Sequence, residues 1–127
     1  MSSFTKPLVV RKRSDGMWEL TESFEYHVGK EGSNDKVEVL KGFKTDFASV
    51  PRPFWVIFPP DGQWTGAAVV HDFLYWTQAR TRKESDGIFL EAMGVLGVPY
   101  WKRKIMHRAV RSFGWLPWNK RSKELDA

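Results

Sequence analysis

Four residues, His71, Asp72, Tyr75 and Asp86, have the types and spacing of a catalytic or metal-binding set. An imidazole exchanges protons near neutral pH, and a carboxylate bonded to one ring nitrogen leaves the other nitrogen available as a base. A tyrosine hydroxyl is a further donor for such a carboxylate. The flanking sequence is apolar, which predicts that these groups lie in or beside the core, where polar side chains need partners.

Two consecutive helices are needed to bring these residues together. His71 and Tyr75 are four positions apart and share one helix face, whereas Asp72 is rotated from His71 by about 100°. A short connection to the next helix predicts an antiparallel pair, with Asp86 level with Tyr75 and one turn from His71. The same pattern is typical of a buried polar network that ties two helices together without catalysis, and this structural interpretation is somewhat favoured on spacing alone.

The pattern His71-Asp72-x-x-Tyr75, followed by Asp86 on the next helix, resembles the active-site helix pair of secreted and parvoviral phospholipases A2. The resemblance covers residues 66–96. It implies that His71 activates water, that Asp72 binds calcium, and that Tyr75 and Asp86 orient the histidine.

A divalent cation, calcium or another, is therefore a candidate cofactor. Asp72 is the expected ligand, and Asp46 is a second oxygen donor that could join it. Residues 61–66, ahead of the helix, lack the glycine-rich calcium loop of the phospholipases.

A second resemblance covers most of the chain. Residues 42–51, 67–75 and 85–89 carry three motifs in the order found in a phage and prophage family, the domain-of-unknown-function family thirteen fifty-three. The similarity runs from about residue 8 to 114. It implies a tailed-phage or prophage origin and supplies no activity.

The first of these motifs adds Thr45, Asp46 and Ser49 as candidates near the histidine. Asp46 could act as a ligand, and Ser49 as a hydroxyl donor or nucleophile. The alternative is a turn in which short polar side chains bond to nearby backbone ahead of the prolines. The turn is slightly favoured for Ser49, and the two interpretations are even for Asp46.

Positive charge is concentrated at one end of the chain. Residues 98–127 hold eight Lys or Arg and two acidic residues, whereas residues 1–97 hold twelve and thirteen. A basic patch is predicted on the third helix, and its members are Lys102, Arg103, Lys104, Arg108 and Arg111. These side chains cover most of the helix outside its apolar stripe, which favours a solvated surface over a nucleic-acid interface.

Composition excludes several classes of protein. The chain has no cysteine, so disulfides and thiolate metal sites are excluded. No apolar run approaches the ~20 residues of a membrane span, and the N-terminus lacks the apolar core of a signal peptide. We therefore expect synthesis in the host bacterial cytoplasm, with incorporation into a virion as an alternative.

The predicted fold is α+β in a single domain over residues 1–127. An N-terminal antiparallel β meander occupies about 7–44, a proline-rich connector 45–64, three C-terminal helices 65–114, and a basic tail 115–127. The meander has three or four strands, and the alternating run 17–28 slips register near Glu22, which suits a bulge or two short strands.

Capping signals and apolar spacing define the three helices. The first is capped at Asp61 or Thr65 and ends near Gln78. The second begins near Arg82, after a capping box formed by Thr81 and Glu84. The third is opened by Pro99 and stopped at Gly114. Its apolar stripe, at fourfold spacing, is Trp101, Ile105, Ala109 and Phe113.

Three functions are consistent with these features. The first is a small phage-encoded hydrolase that uses a His/Asp-activated water on the host envelope, either a lipid ester or the cell wall. The second is a non-catalytic virion component, such as a tail or baseplate protein, in which the polar set is structural. The third and weakest is a nucleic-acid or host-factor binder through the basic end. Solvent access to His71 separates the first two, because an open cleft supports an enzyme and a sealed network a scaffold.

Overall fold

The computed structural model describes residues 3–4, 8–15, 17–29, 34–46 and 64–126. The chain divides into two compact units, Met1–Asp46 and Phe47–Ala127. Among the described residues, the first unit contains strands and the second contains helices, which confirms the α+β class. Most of the predicted connector lies outside the described residues, and the single domain stays a prediction.

The described residues of the first unit form six short strands: β1 (Ser3–Phe4), β2 (Val10–Lys12), β3 (Trp18–Leu20), β4 (Phe24–His27), β5 (Lys36–Val39) and β6 (Lys44–Thr45). They pair antiparallel in two three-stranded sheets, with orders β1-β4-β5 and β2-β3-β6. The antiparallel sheet is confirmed, but its topology is more complex than a meander, because β1–β4 and β3–β6 are not sequential neighbours. The predicted slip near Glu22 is the break between β3 and β4.

Alternating side chains form the core of this unit. Phe24 and Tyr26 on β4 are buried, as are Val37 and Val39 on β5. The register places Phe24 opposite Val39 and Tyr26 opposite Val37, so the four side chains share one face of the sheet. The ring of Phe4 lies 5.9 Å from the ring of Phe24 and 4.7 Å from that of Tyr26, and adds to the same cluster.

Within 64–126, the described part of the second unit, four helices are present: α1 (Thr65–Thr77), α2 (Arg82–Val95), α3 (Tyr100–Phe113) and α4 (Trp115–Asp126). The first three correspond to the predicted helices. The fourth corrects the expected tail, and its Pro117 lies in the first turn, where no intrahelical N–H bond is lost. In the described part of the chain, no helix is long and apolar enough to cross a bilayer.

Helix α1 is enclosed around its whole circumference over residues 67–72. A helix that is apolar on every side is a core helix, and α2 and α4 both pack against it. At its start the N-cap position is Trp64, which makes no side-chain cap bond, and Thr65 is the first helical residue. Thr65 is therefore not the cap, and Asp61 lies outside the described residues.

The inward face of α3 differs from the predicted stripe. Its buried residues are Met106, Ala109 and Val110, whereas Trp101 is 58% exposed and Phe113 51% exposed. The spacing i, i+3, i+4 of the buried set follows the helical repeat more closely than steps of four. Of the predicted stripe, Ala109 alone is buried.

Candidate functional site

The turn between α1 and α2 brings the two site helices together. Gln78 ends α1 in the left-handed conformation, with φ of 50°, and its N–H bonds to the Leu74 carbonyl. Thr81 then caps α2 through the predicted capping box, since its hydroxyl accepts from the Glu84 N–H while the Glu84 carboxylate accepts from the Thr81 N–H. Two well-defined helix ends, three residues apart, fix the antiparallel pair.

Asp86 is the centre of the resulting polar cluster. Its Oδ1 atom lies 2.7 Å from His71 Nε2 and accepts a 2.6 Å hydrogen bond from the Tyr75 hydroxyl. Both partners come from α1, one turn apart. The structure thus brings together three of the four residues singled out by spacing.

The second oxygen of Asp86 is bound by cations from two other places in the helical unit. Arg111 on α3 donates from Nη1 to Oδ2 at 2.8 Å. Arg82, one turn before Asp86 on α2, has its Nη1 atom 3.6 Å from the same oxygen. The carboxylate is therefore held by three helices.

Aromatic rings complete the surroundings of the cluster. His71 stacks on Phe89 with ring centroids 4.5 Å apart and lies 4.3 Å from the ring of Tyr75. Trp118 on α4 meets Tyr75 edge-on at 5.0 Å. His71 and Asp86 have no exposed surface, so these groups interact in an environment of low polarity, where electrostatic effects are strong.

Burial and bonding together fix the protonation states. Burial alone would raise the pKa of Asp86, but hydrogen bonds from His71, Tyr75 and Arg111 outweigh it and hold that pKa below 3.8. Burial lowers the pKa of His71 below 6.5, against the opposing effect of Asp86. Burial also raises the pKa of Tyr75, as does its bond to Asp86, so its hydroxyl stays protonated.

These states determine the histidine tautomer. An ionised carboxylate can only accept, so the proton between Asp86 and His71 resides on Nε2. A neutral imidazole with Nε2 protonated has its lone pair on Nδ1. Nδ1 is therefore the basic atom of the ring, and its basicity is supported by the Asp86 carboxylate behind it.

Asp72 lies on a different side of α1 and is 8% exposed. Within the described residues, no group of three or more His, Asp or Glu side chains could hold a metal ion. The described donors thus do not make a cation site by themselves, and the ligand roles of Asp72 and Asp46 stay predictions.

The other candidates lie in the first unit or outside the described residues. Thr45 is buried on β6 and Asp46 is exposed after it, both in the first unit. Ser49 lies outside the described residues. Their roles as ligand, nucleophile or turn residues stay predictions.

The basic patch divides into two groups. Lys102, Arg103, Lys104 and Arg108 lie on α3 away from the cluster, with Arg108 exposed and the other three half-buried. Arg111 is different, because it binds Asp86. Sequence reasoning missed this role, although Arg111 lies five residues after Met106 and one after Val110, at the edge of the buried face.

Two further residues of the cluster were also missed. Arg82 donates from Nη1 to the carbonyl oxygens of Val110 (3.1 Å) and Arg111 (3.3 Å), at the end of α3. Gly114 is buried, and a Cβ there would overlap the Val110 carbonyl oxygen and the Tyr75 hydroxyl. The sequence indicated Gly114 only as the end of a helix. Its close contact with Tyr75 depends on tertiary packing and could not be predicted.

Comparisons with known proteins identify relatives without an assigned activity. The family described as protein of unknown function (DUF1353) matches residues 18–110. The uncharacterized protein y4jT of Sinorhizobium fredii (strain NBRC 101917 / NGR234) is 34% identical over 100 residues, which cover 77% of this chain and 29% of that protein. The uncharacterized protein y4iH of the same organism is 38% identical over 77 residues, which cover 58% and 32% respectively. The chain spans about a third of the length of these relatives, and no solved structure matches it.

Proposed function

From the premise that the chain belongs to the DUF1353 family, whose description names no activity, we propose a function from the site itself: a hydrolase of the host envelope, in a phage or prophage setting. His71 acts as the general base, and Asp86 and Tyr75 orient it. The substrate class is a lipid ester or a cell-wall bond. The observation that carries this proposal is the bond from His71 Nε2 to the ionised Asp86 carboxylate, which leaves Nδ1 as the basic atom.

The chemistry follows from that tautomer. Nδ1 removes a proton from a water molecule as the water oxygen attacks the carbonyl carbon of an ester or amide. The imidazolium formed is stabilised by Asp86, since Nε2–H already points at the carboxylate. The proton on Nδ1 then passes to the leaving alkoxide or amine as its bond to carbon breaks, and the neutral ring is restored.

The main requirement of this proposal is access to Nδ1. His71 has no exposed surface in the structure, so hydrolysis requires a conformation in which water and substrate reach the ring. Access can be measured directly, because exchange of the imidazole carbon-bound hydrogen for deuterium requires solvent contact and is followed by mass spectrometry.

Activity should be tested with two matched histidine variants. Vesicles of bacterial phospholipid and purified peptidoglycan are the substrates, each with calcium, magnesium or zinc added. His71→Gln should abolish fatty-acid or fragment release, while His107→Gln, which changes a half-buried histidine on α3, should retain it. Urea unfolding of both variants separates loss of activity from loss of folding. If the wild type releases nothing under any of these conditions, the hydrolase proposal is abandoned.

A second function is favoured by one observation: solvent does not reach the His71 and Asp86 side chains. His71 and Asp86 are both fully buried, and the carboxylate is satisfied by groups from α1, α2 and α3. By the criterion of solvent access, this supports a non-catalytic virion component in which the network stabilises the helical unit. No hydrogen exchange at the His71 ring, together with the protein in purified virions, would support this second function over the first.

A further inference from the structure

An exposed stripe runs along the outer side of α3 and continues onto α4. Its members are exposed and follow one another in steps of three or four residues; we call them the outer ridge: Trp101, Ile105, Arg108, Ser112, Leu116, Lys120 and Lys123. Steps of this size keep residues on one side of a helix. The ridge includes two residues, Trp101 and Ile105, that spacing had assigned to the core.

A single residue, Gly114, separates the two helices. Gly114, between them, has right-handed helical angles, with φ of −65° and ψ of −16°. Its N–H bonds to the Val110 carbonyl in the last turn of α3, and its carbonyl accepts from the Trp118 N–H in the first turn of α4. At about 1.5 Å per residue, the part of the ridge on α3 is roughly 17 Å long and the part on α4 is roughly 11 Å long.

Apolar and basic side chains share this ridge, and no acidic side chain is part of it. Trp101 is 58% exposed, Ile105 38% and Leu116 55%. Beside them lie Arg108, Lys120 and Lys123, all exposed. Among residues 100–126 the only acids are Glu124 and Asp126, at the far end of α4.

Inward-facing contacts fix which side of α4 is exposed. Gln78 on α1 donates to the Trp118 carbonyl at 2.9 Å and accepts from the Ser122 hydroxyl at 2.9 Å. The Arg121 guanidinium lies 3.4 Å from the centroid of the Trp76 ring. These contacts turn Trp118, Arg121 and Ser122 toward α1, and therefore leave Leu116, Lys120 and Lys123 facing away from it.

We infer that the outer ridge is a docking surface for a lipid bilayer rich in anionic phospholipid, and this inference does not rest on the hydrolase proposal. Flexible cations spaced along exposed helix faces match a surface of many mobile negative charges. Between them, Trp, Ile and Leu side chains can enter the apolar boundary of the leaflet. Its three cations, Arg108, Lys120 and Lys123, give the ridge a charge complementary to such a surface.

Nucleic acid fits this surface less well. Binding to a phosphate backbone uses cations together with aromatic rings that stack on bases. Ile105 and Leu116 have neither a charge nor an aromatic ring. A phosphate backbone would not bury these apolar side chains. A bilayer accommodates both kinds of side chain on the ridge.

Vesicle co-sedimentation tests the inference with variants matched in charge and exposure. The wild type should bind vesicles of phosphatidylglycerol, bind vesicles of phosphatidylcholine weakly, and release as salt rises. Lys120→Gln with Lys123→Gln should weaken partitioning about thirtyfold, from the usual contribution of two lysines near an anionic surface. Lys41→Gln with Lys44→Gln removes the same charge from two exposed lysines of the β unit and should have a much smaller effect.

A second pair of variants tests the apolar part of the ridge. Leu116→Ser should weaken vesicle binding several-fold, whereas Leu40→Ser should not, although both leucines are 55% exposed. Because these side chains are exposed, we expect the variants to fold, which circular dichroism will verify. His71→Gln should bind vesicles like the wild type, so failure of the hydrolase proposal leaves this result unaffected.

Three outcomes would overturn the inference. Equal binding to phosphatidylglycerol and phosphatidylcholine vesicles would show that charge does not drive the binding. Equal effects of the ridge and control variants would remove the role of the ridge. Ridge-dependent binding of a DNA or RNA oligonucleotide without binding of anionic vesicles would assign the surface to nucleic acid.

Discussion

Glu19 and Asp86 are two carboxylates with similar partners in different surroundings. Glu19, on β3, pairs with Arg11 at 3.0 Å and with Arg13 at 2.9 Å, and it keeps contact with solvent. Asp86 pairs with Arg111 at 2.8 Å, lies 3.6 Å from Arg82, and is fully buried. Exposed ion pairs add little to stability because water and salt screen them, whereas a buried carboxylate depends on every partner it has.

The number of partners therefore does not by itself distinguish the two carboxylates. Hydrogen bonds from Arg11 and Arg13 lower the pKa of Glu19, and bonds from His71, Tyr75 and Arg111 lower that of Asp86 in spite of its burial. The second case alone involves an imidazole whose tautomer is then fixed. What distinguishes the Asp86 cluster is its burial together with a bonded imidazole.

Removing each carboxylate tests the comparison most strongly. Asp86→Ala should lower the free energy of unfolding by about 3–5 kcal/mol, because it leaves buried donors without an acceptor. Glu19→Ala should produce no resolvable change. Urea unfolding with a common m value measures both, and equal effects of the two substitutions would contradict the distinction.

A pair of glycine variants tests how closely the buried cluster is packed. Gly114→Ala should destabilise by about 1–3 kcal/mol, because its methyl group would overlap the Tyr75 hydroxyl and the Val110 carbonyl. Gly87→Ala, in exposed α2 backbone with nothing within 4 Å of the added carbon, should stabilise by roughly 0.5–1 kcal/mol. Opposite signs in thermal unfolding are the expected result, and a neutral Gly114→Ala would show that the cluster can relax.

The pH dependence of stability tests the protonation state of His71. Its pKa is lowered on folding from 6.5, so below about pH 6.5 the unfolded chain binds a proton that the native chain does not. Stability is therefore fully present above that pH and is lost as pH falls toward the native pKa, by up to about 1.4 kcal/mol per pH unit. The measurement belongs in a His107→Gln background, since the pKa of His107 is also lowered by burial. Stability that rises on acidification would overturn the neutral-histidine assignment.

Deleting single hydroxyls gives the smallest expected effect. Tyr75→Phe removes one of several donors to Asp86 and should cost about 1 kcal/mol. Tyr100→Phe removes the hydroxyl of a tyrosine that is 66% exposed and should be neutral. Chemical denaturation resolves the difference, and a neutral Tyr75→Phe would show that the remaining donors suffice.

Local signals in the sequence predicted the parts of the fold that depend on neighbouring residues. The capping box at Thr81 and Glu84 predicted the start of α2, and with it the side of that helix on which Asp86 lies. Fourfold spacing predicted that His71 and Tyr75 share a face, and both contact Asp86. These inferences succeeded because one turn of helix determines them.

The orientation of α3 could not be predicted in the same way. Its sequence carries two overlapping apolar stripes, one through Trp101 and Ile105 and the other through Met106 and Val110, and they meet at Ala109. Which of them turns inward depends on packing against α2, which is tertiary information. The role of Arg111 was missed for the same reason, because its partner is 25 residues away. The helix α4 was not predicted, since residues 115–127 were expected to form a basic tail, although Pro117 lies in the first turn, where a helix tolerates proline.

The crossed contacts of Arg82 and Arg111 have a consequence for hydrogen exchange. Arg82 of α2 bonds to carbonyls at the end of α3, while Arg111 of α3 bonds to Asp86 of α2. If either helix frayed alone, the Arg82 and Arg111 guanidinium groups would lose their partners on the other helix, and Asp86 would lose its bond from Arg111. Amide protons of α2 and α3 should therefore open together as one cooperative unit, with a shared protection factor, rather than as two helices that melt independently.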